Sequence, residues 1–420
     1  MVFIYAFKNT VFLWLFVFLA CGKPFKKNPE QPDPIATYLL DFQKSPITPA
    51  ANRTAAYLPM LKGKKVGVVA NQTSVIFKDL QKRGPDSLGY THLVDSLLSL
   101  GVVVNRVFAP EHGFRGMADA GEHVKDGRDA TTGLPIISLY GSQRKPGPEL
   151  LQGLDVVVFD IQDVGVRFYT YIATLQLVME ACAENKIPVM VLDRPNPNGH
   201  YVDGPTMELK NKGFLGLTPI PLVYGMTIGE YALMINGEGW LEGGVKADLT
   251  VVPLEHYTHA SEYRLPIRPS PNLPNDRAIN LYPSLGLFEG TNVNAGRGTE
   301  FQFQRYGAPF MDSRAYTFSY VPEPNFGAKN PKQEGQRCYG KNLSGHPGMN
   351  RVSLEWLLDA YRNTPQKEKF FNTDGFTKHA GTTALQKQVE ANWSEASIRE
   401  TWEEDLERFR QIRGKYLLYE

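Results

Sequence analysis

Residues Asp155–Leu175 read DVVVFDIQDVGVRFYTYIATL. Val156 to Phe159 form an apolar run without alternation, the pattern of a strand covered on both faces. The run ends on polar groups: Asp160, Gln162, Asp163 and Arg167. Phe168, Tyr171, Ile172, Leu175, Val178, Met179 and Cys182 then recur mostly three and four apart, which is one face of a helix. A buried strand, a polar turn and an amphipathic helix make one βα unit. Whether that unit repeats decides the fold.

Working outward, it does repeat. Lys65–Ala70 (KVGVVA), Val102–Phe108, Pro135–Leu139, Pro188–Leu192 and Asp248–Leu254 read as further strands. His92–Leu100 and Thr227–Asn236 carry helical apolar spacing. This alternation predicts an α/β fold: a Rossmann-like, mainly parallel sheet with helices on both faces. In such sheets ligands bind beyond the carboxyl ends of the strands. That rule selects Asn71, then Glu111, His112 and Arg115, then Asp160, Asp163 and Arg167, then Asp193 and Arg194.

At 420 residues the chain exceeds one core. Past residue 258 proline, glycine and aromatic residues become dense, so the Rossmann-like catalytic domain is expected over 51–257. A smaller α+β auxiliary domain over 258–420 would contribute to the cleft. Near the end, Ser397 and Glu400 have capping-box spacing, and Ile398, Trp402, Leu406, Phe409, Ile412 and Tyr416 form an apolar helical stripe. At the other end Lys8, the apolar run Val11–Leu19 and the sequence Leu19-Ala20-Cys21-Gly22 resemble a lipoprotein signal. Residues 1–21 are therefore expected to be a signal peptide with lipid on Cys21, and 22–50 a Pro-rich tether. The expected location is exported, membrane-anchored and facing the periplasm.

Several chemistries are disfavoured. A formal net charge of +1 gives no reason for a nucleic-acid partner. The first βα turn, Val69–Ser74, has no glycine, and no GxxxxGK[ST] occurs, which argues against a nucleotide. No GxSxG points to a serine nucleophile. Glu111-His112 and Glu122-His123 lack the i, i+4 spacing of a helical metal site, so neither metal nor cofactor is expected. Cys182 is expected as a packed thiol rather than in a disulfide with Cys338.

Carboxylates remain. Glycoside cleavage needs an acid on the leaving oxygen and a second group at the anomeric carbon. Glu111 suits the first role, since apolar walls such as Phe108 and Phe114 favour a protonated carboxyl. Asp160, Asp163, Glu289 and Glu300 are open as partners, although Asp160 and Asp193 could simply cap helices. Arg115, Arg167, Arg194 and Arg297 suit an anionic substrate.

The motifs VGVVANQTSV, FAPEHGFRG, DVVVFDIQDVGVRFYTYIATL, VLDRPNPNG with DGP, EGTNVNAGRGTEFQFQRYGAP and RGKYLLYE cover nearly the whole chain after the tether. Together they resemble the NamZ-type exo-β-N-acetylmuramidases, which are peptidoglycan-recycling glycosidases. The resemblance implies an active site in the cleft between a Rossmann-like domain and a C-terminal one. It also implies release of N-acetylmuramic acid (MurNAc) from non-reducing ends of wall fragments. Glu111, with His112, Asp163 and Glu300, would be catalytic. Asn71, Arg115, Asp160, Arg167, Tyr169, Asp193, Arg194, Glu289, Asn292 and Arg297 would bind substrate. Arg297 or Arg167 would read the lactyl carboxylate, and Tyr169 and Phe301 would form a platform. Expected partners are peptidoglycan fragments and, through the lipid anchor, a membrane. The alternatives are a non-catalytic muropeptide-binding lipoprotein, or a wall-related esterase or amidase.

Overall fold

The computed structural model describes residues 46–80, 89–116 and 126–420. Cys21, the expected signal peptide, most of the expected tether and the Glu122-His123 pair lie outside these residues.

Seven strands form the central sheet: β1 (Lys65–Ala70), β4 (Val103–Ala109), β5 (Gly127–Arg128), β6 (Pro135–Ser138), β7 (Val156–Asp160), β8 (Val189–Leu192) and β9 (Leu249–Val252). Their order is β5-β6-β4-β1-β7-β8-β9, parallel throughout except for the short edge strand β5. Two further strands, β2 (Val75–Phe77) and β3 (Tyr90–His92), pair as a separate antiparallel ribbon.

The unbroken apolar runs follow from this layout. Along β1, Val66, Val68 and Ala70 belong to one core and Val69 to the other. In β7, Val156 and Val158 face the first core while Val157 and Phe159 face the second. Neither face meets water, so every other position stays apolar. Helix Leu93–Ser99 packs on the first face. On the second lies helix Tyr171–Glu184, the amphipathic segment of the opening motif.

Helix Ile228–Gly237 opens with a full capping box between Thr227 and Glu230. The box expected at Ser397 is displaced. Ser394 caps helix Glu395–Glu400, because its hydroxyl accepts from the backbone of Ser397. The apolar stripe then continues in a separate helix, Glu403–Arg413, and Ile398, Trp402, Leu406 and Phe409 are buried as a core stripe should be.

The C-terminal half holds a three-stranded antiparallel sheet, ordered β10 (Arg305–Ala308), β12 (Cys338–Asn342), β11 (Phe318–Tyr320). Pro46–Glu420 make one compact unit, and the second core runs without interruption from Phe159 and Tyr171 through Phe303 to Phe409. The expected tether also ends early. Thr48 exchanges backbone hydrogen bonds with Glu255, and Ala50 and Ala51 are fully buried, so residues 46–50 are part of the folded body. Cys182 and Cys338 are free, buried thiols, each pushed up to about 12 by burial.

Candidate active site

The strand order reverses around β1, with β4 on one side and β7 on the other. Doubly wound sheets bind ligands at such a switch point. The turns after β4 and β7 both reach a cavity of about 470 Å³, within the range of small-molecule sites.

After β4, Pro110 stops the strand, and Gly113 donates its N–H to the Pro110 carbonyl at 3.0 Å. His112 adopts φ 68°, left-handed backbone that a residue with a Cβ rarely occupies. Such strain concentrates at functional sites. The turn places Glu111 and His112 on the cavity wall. The Thr170 hydroxyl, from the segment entering helix Tyr171–Glu184, donates to Glu111 Oε2 at 2.7 Å. Tyr140, just past β6, also hydrogen-bonds Glu111; burial, and then that carboxylate, push its phenol upward. The expected apolar walls are elsewhere. Phe108 lies in the sheet core, and Phe114 meets the edge of His92 beneath the Arg115 guanidinium. Hydroxyls surround Glu111 instead.

The far end of the cavity is ionic. Glu289 pairs with Arg297 at 3.2 Å. Burial pushes the Glu289 carboxyl up, but Arg297, Lys332 and His379 outweigh it and hold it below the usual carboxylate range. The Lys332 ammonium donates to the carbonyls of Phe288, Glu289 and Thr291 at 2.7–3.0 Å. His379 Nδ1 lies 2.8 Å from the Gly375 carbonyl, which can only accept, so Nδ1 carries the proton. Burial lowers its pKa. Aromatic rings link the two ends. Phe168 contacts Tyr282 at 5.0 Å and His379 at 5.4 Å, Tyr282 contacts Phe303 at 4.7 Å, and Arg297 lies 5.5 Å from the Phe303 ring centre.

The structure therefore brings Glu111, His112, Tyr169, Glu289 and Arg297 to one cavity. Glu111 and Glu289 are its carboxylates among the described residues. Other expected site residues are used differently. Asp160 and Arg194 form a fully buried two-pronged ion pair at 2.6 and 2.8 Å, which ties the end of β7 to that of β8 and leaves neither for substrate. Asp193 accepts from Gly229, Thr227 and Tyr419, so it anchors the start of helix Ile228–Gly237. Arg167 is 1% exposed. Its guanidinium is consumed by the carbonyls of Pro205, Ile220, His379 and Ala380. Arg115 pairs with Asp129 and Asp95. Asn71 is buried and accepts from the Thr73 backbone within its own turn.

Neither proposed second catalytic group lines the cavity. Asp163 is buried, accepting from Tyr224 and Gly165, and Glu300 is exposed; neither is part of the cavity wall. Asn292 is exposed and donates to the Lys369 carbonyl. Phe301 stacks under Arg305 at 4.1 Å and is not part of the wall.

Tyr140, Arg144, Thr170, Phe214, Tyr282, Phe303 and His379 line the cavity without having been selected from sequence. Tyr140 follows β6, so the strand-end rule applied to that short strand would have found it. His379 ends a helix far along the chain and carries no local signal. Among the described residues no cluster of His, Cys, Asp and Glu could hold a metal.

Two family models match: "Exo-beta-N-acetylmuramidase NamZ, N-terminal" over residues 66–277 and "Exo-beta-N-acetylmuramidase NamZ, C-terminal" over 280–419. The chain is 36% identical to the peptidoglycan beta-N-acetylmuramidase NamZ of Bacillus subtilis, with 99% of each chain covered. Two solved DUF1343 family proteins from Bacteroides fragilis share the fold. One is 43% identical with a TM-score of 0.80, covering 90% of this chain and 99% of that one. The other is 27% identical with a TM-score of 0.73, covering 89% and 99%.

Proposed function

The chain belongs to the NamZ exo-β-N-acetylmuramidase family, and from that premise we propose that it removes terminal MurNAc from the non-reducing end of peptidoglycan fragments. One observation supports this reading most: Glu111 and the Glu289–Arg297 pair occupy a single cavity with aromatic rings between them. Glu111, oriented by Thr170 and Tyr140, donates its proton to the bridging oxygen as the bond from that oxygen to the anomeric carbon breaks. Glu289, kept ionised, supplies fixed negative charge to the oxocarbenium-like centre and aims Arg297. Arg297 grips the lactyl carboxylate, the group that separates muramic acid from glucosamine. Water completes the hydrolysis: its oxygen bonds to the anomeric carbon and its proton replaces the one Glu111 gave.

The same proposal places the enzyme outside the cytoplasm, held to a membrane through lipid on Cys21, where wall fragments are released. The test is product analysis on paired β-MurNAc and β-GlcNAc glycosides. Free MurNAc from the first and little turnover of the second supports the reading. Cleavage of the GlcNAc glycoside alone contradicts it, and an intact glycosidic bond with a released acyl or peptide group would favour an esterase or amidase.

A further inference from the structure

The mouth of the cavity carries a structure that the terminal sugar alone does not need. Arg144 is exposed, yet its guanidinium lies 4.2 Å from the centre of the Phe214 ring and 6.0 Å from that of Tyr140. The two rings are 6.1 Å apart. They come from different segments, the turn after β6 and the loop after Asn211, and both line the cavity. Tyr140 is also hydrogen-bonded to Glu111, so the stack touches the proton donor.

Direction follows from exposure. At the ionic end Phe168 and Phe303 are buried, Tyr282 is half-buried and Glu289 is about 20% exposed, whereas Arg144, beside the acid, is exposed. An enzyme that takes the terminal residue must seat it in the closed end, and the rest of the substrate must leave toward solvent. The bridging oxygen lies at the acid, so whatever stands beside the acid on the open side meets the leaving group.

Resting on the muramidase reading, we propose that Arg144, Phe214 and Tyr140 form the binding site for the leaving sugar, an N-acetylglucosamine unit. An aromatic ring offers a face to the apolar face of a pyranose. A guanidinium already stacked on that ring keeps its edge donors for hydroxyl or acetamido oxygens.

The test compares MurNAc-GlcNAc with methyl β-MurNAc in the wild type, Phe214→Ala and Arg144→Ala. Both substrates lose an alcohol and need the acid, but only the first presents a leaving sugar. For Phe214→Ala, kcat/KM on the disaccharide should fall about tenfold or more beyond the fall on the methyl glycoside. Arg144→Ala, at an exposed position that folding does not need, should show the same divergence. Added GlcNAc should inhibit the wild type more strongly than either variant. Parallel losses on the two substrates, in both variants, would overturn the proposal. A wild type that releases MurNAc from neither substrate would overturn the muramidase reading, and this proposal with it.

Discussion

At the residue scale, we propose that specificity rests on one guanidinium. Arg297 is held from one side by Glu289 and packs against the Phe303 ring, so its planar fork has a fixed direction before any substrate arrives. Preorganisation of this kind reduces the entropy lost on binding. Lysine retains the charge but not the paired donors or the stacking plane. Arg297→Lys is therefore expected to lower kcat/KM for a β-MurNAc glycoside by about tenfold or more relative to the matching β-GlcNAc glycoside. Steady-state rates on the two glycosides check this. An unchanged ratio would place the lactyl contact elsewhere.

At the element scale, the turn after β7 carries a buried carboxylate and a hydroxyl that reaches Glu111. Asp163 is buried, accepts from the Tyr224 hydroxyl and the Gly165 amide, and has no cation beside it among the described residues. Burial pushes its carboxyl up to about 6 from 3.8, against the pull of those donors. Between those values the folded chain keeps a proton that the unfolded chain releases. Stability then falls as pH rises from about 4 to about 6, and this contribution is flat above. Urea unfolding across that range should show the slope in the wild type and a shallower one in Asp163→Asn. Equal slopes would mean that Asp163 is already ionised in the fold. Asp163 supports the turn that carries Arg167 and Thr170, and only Thr170 reaches the acid.

At the scale of the whole molecule, the site is assembled from segments far apart in sequence. The sheet brings Glu111, and the C-terminal half brings Tyr282, Glu289, Arg297, Phe303 and His379. This division explains what was legible in the sequence. Strands buried on both faces announce themselves as apolar runs, so β1, β4, β7 and β8 could be read within a residue or two. The strand-end rule then reached Glu111, but it also reached Asp160, Asp193, Arg194 and Arg167. Those four satisfy one another, neighbouring helices or loop carbonyls, and polarity at a strand end cannot reveal which partner wins. Whether an arginine faces a ligand or four backbone carbonyls depends on chain hundreds of residues away, as with Arg167 and Ala380. The wall residues of the loop-rich half had no periodicity to mark them.

We propose Glu111 as the proton donor to the leaving oxygen. This role is tested most directly by the dependence of rate on the leaving group in the wild type and Glu111→Gln. A poor leaving group such as the sugar of MurNAc-GlcNAc needs the proton, while fluoride or a dinitrophenolate departs almost without it. Glu111→Gln is expected to lose about 10²–10⁴-fold on the disaccharide and far less on the activated substrates. Equal losses on both would contradict the proposal and return Glu111 to a structural role.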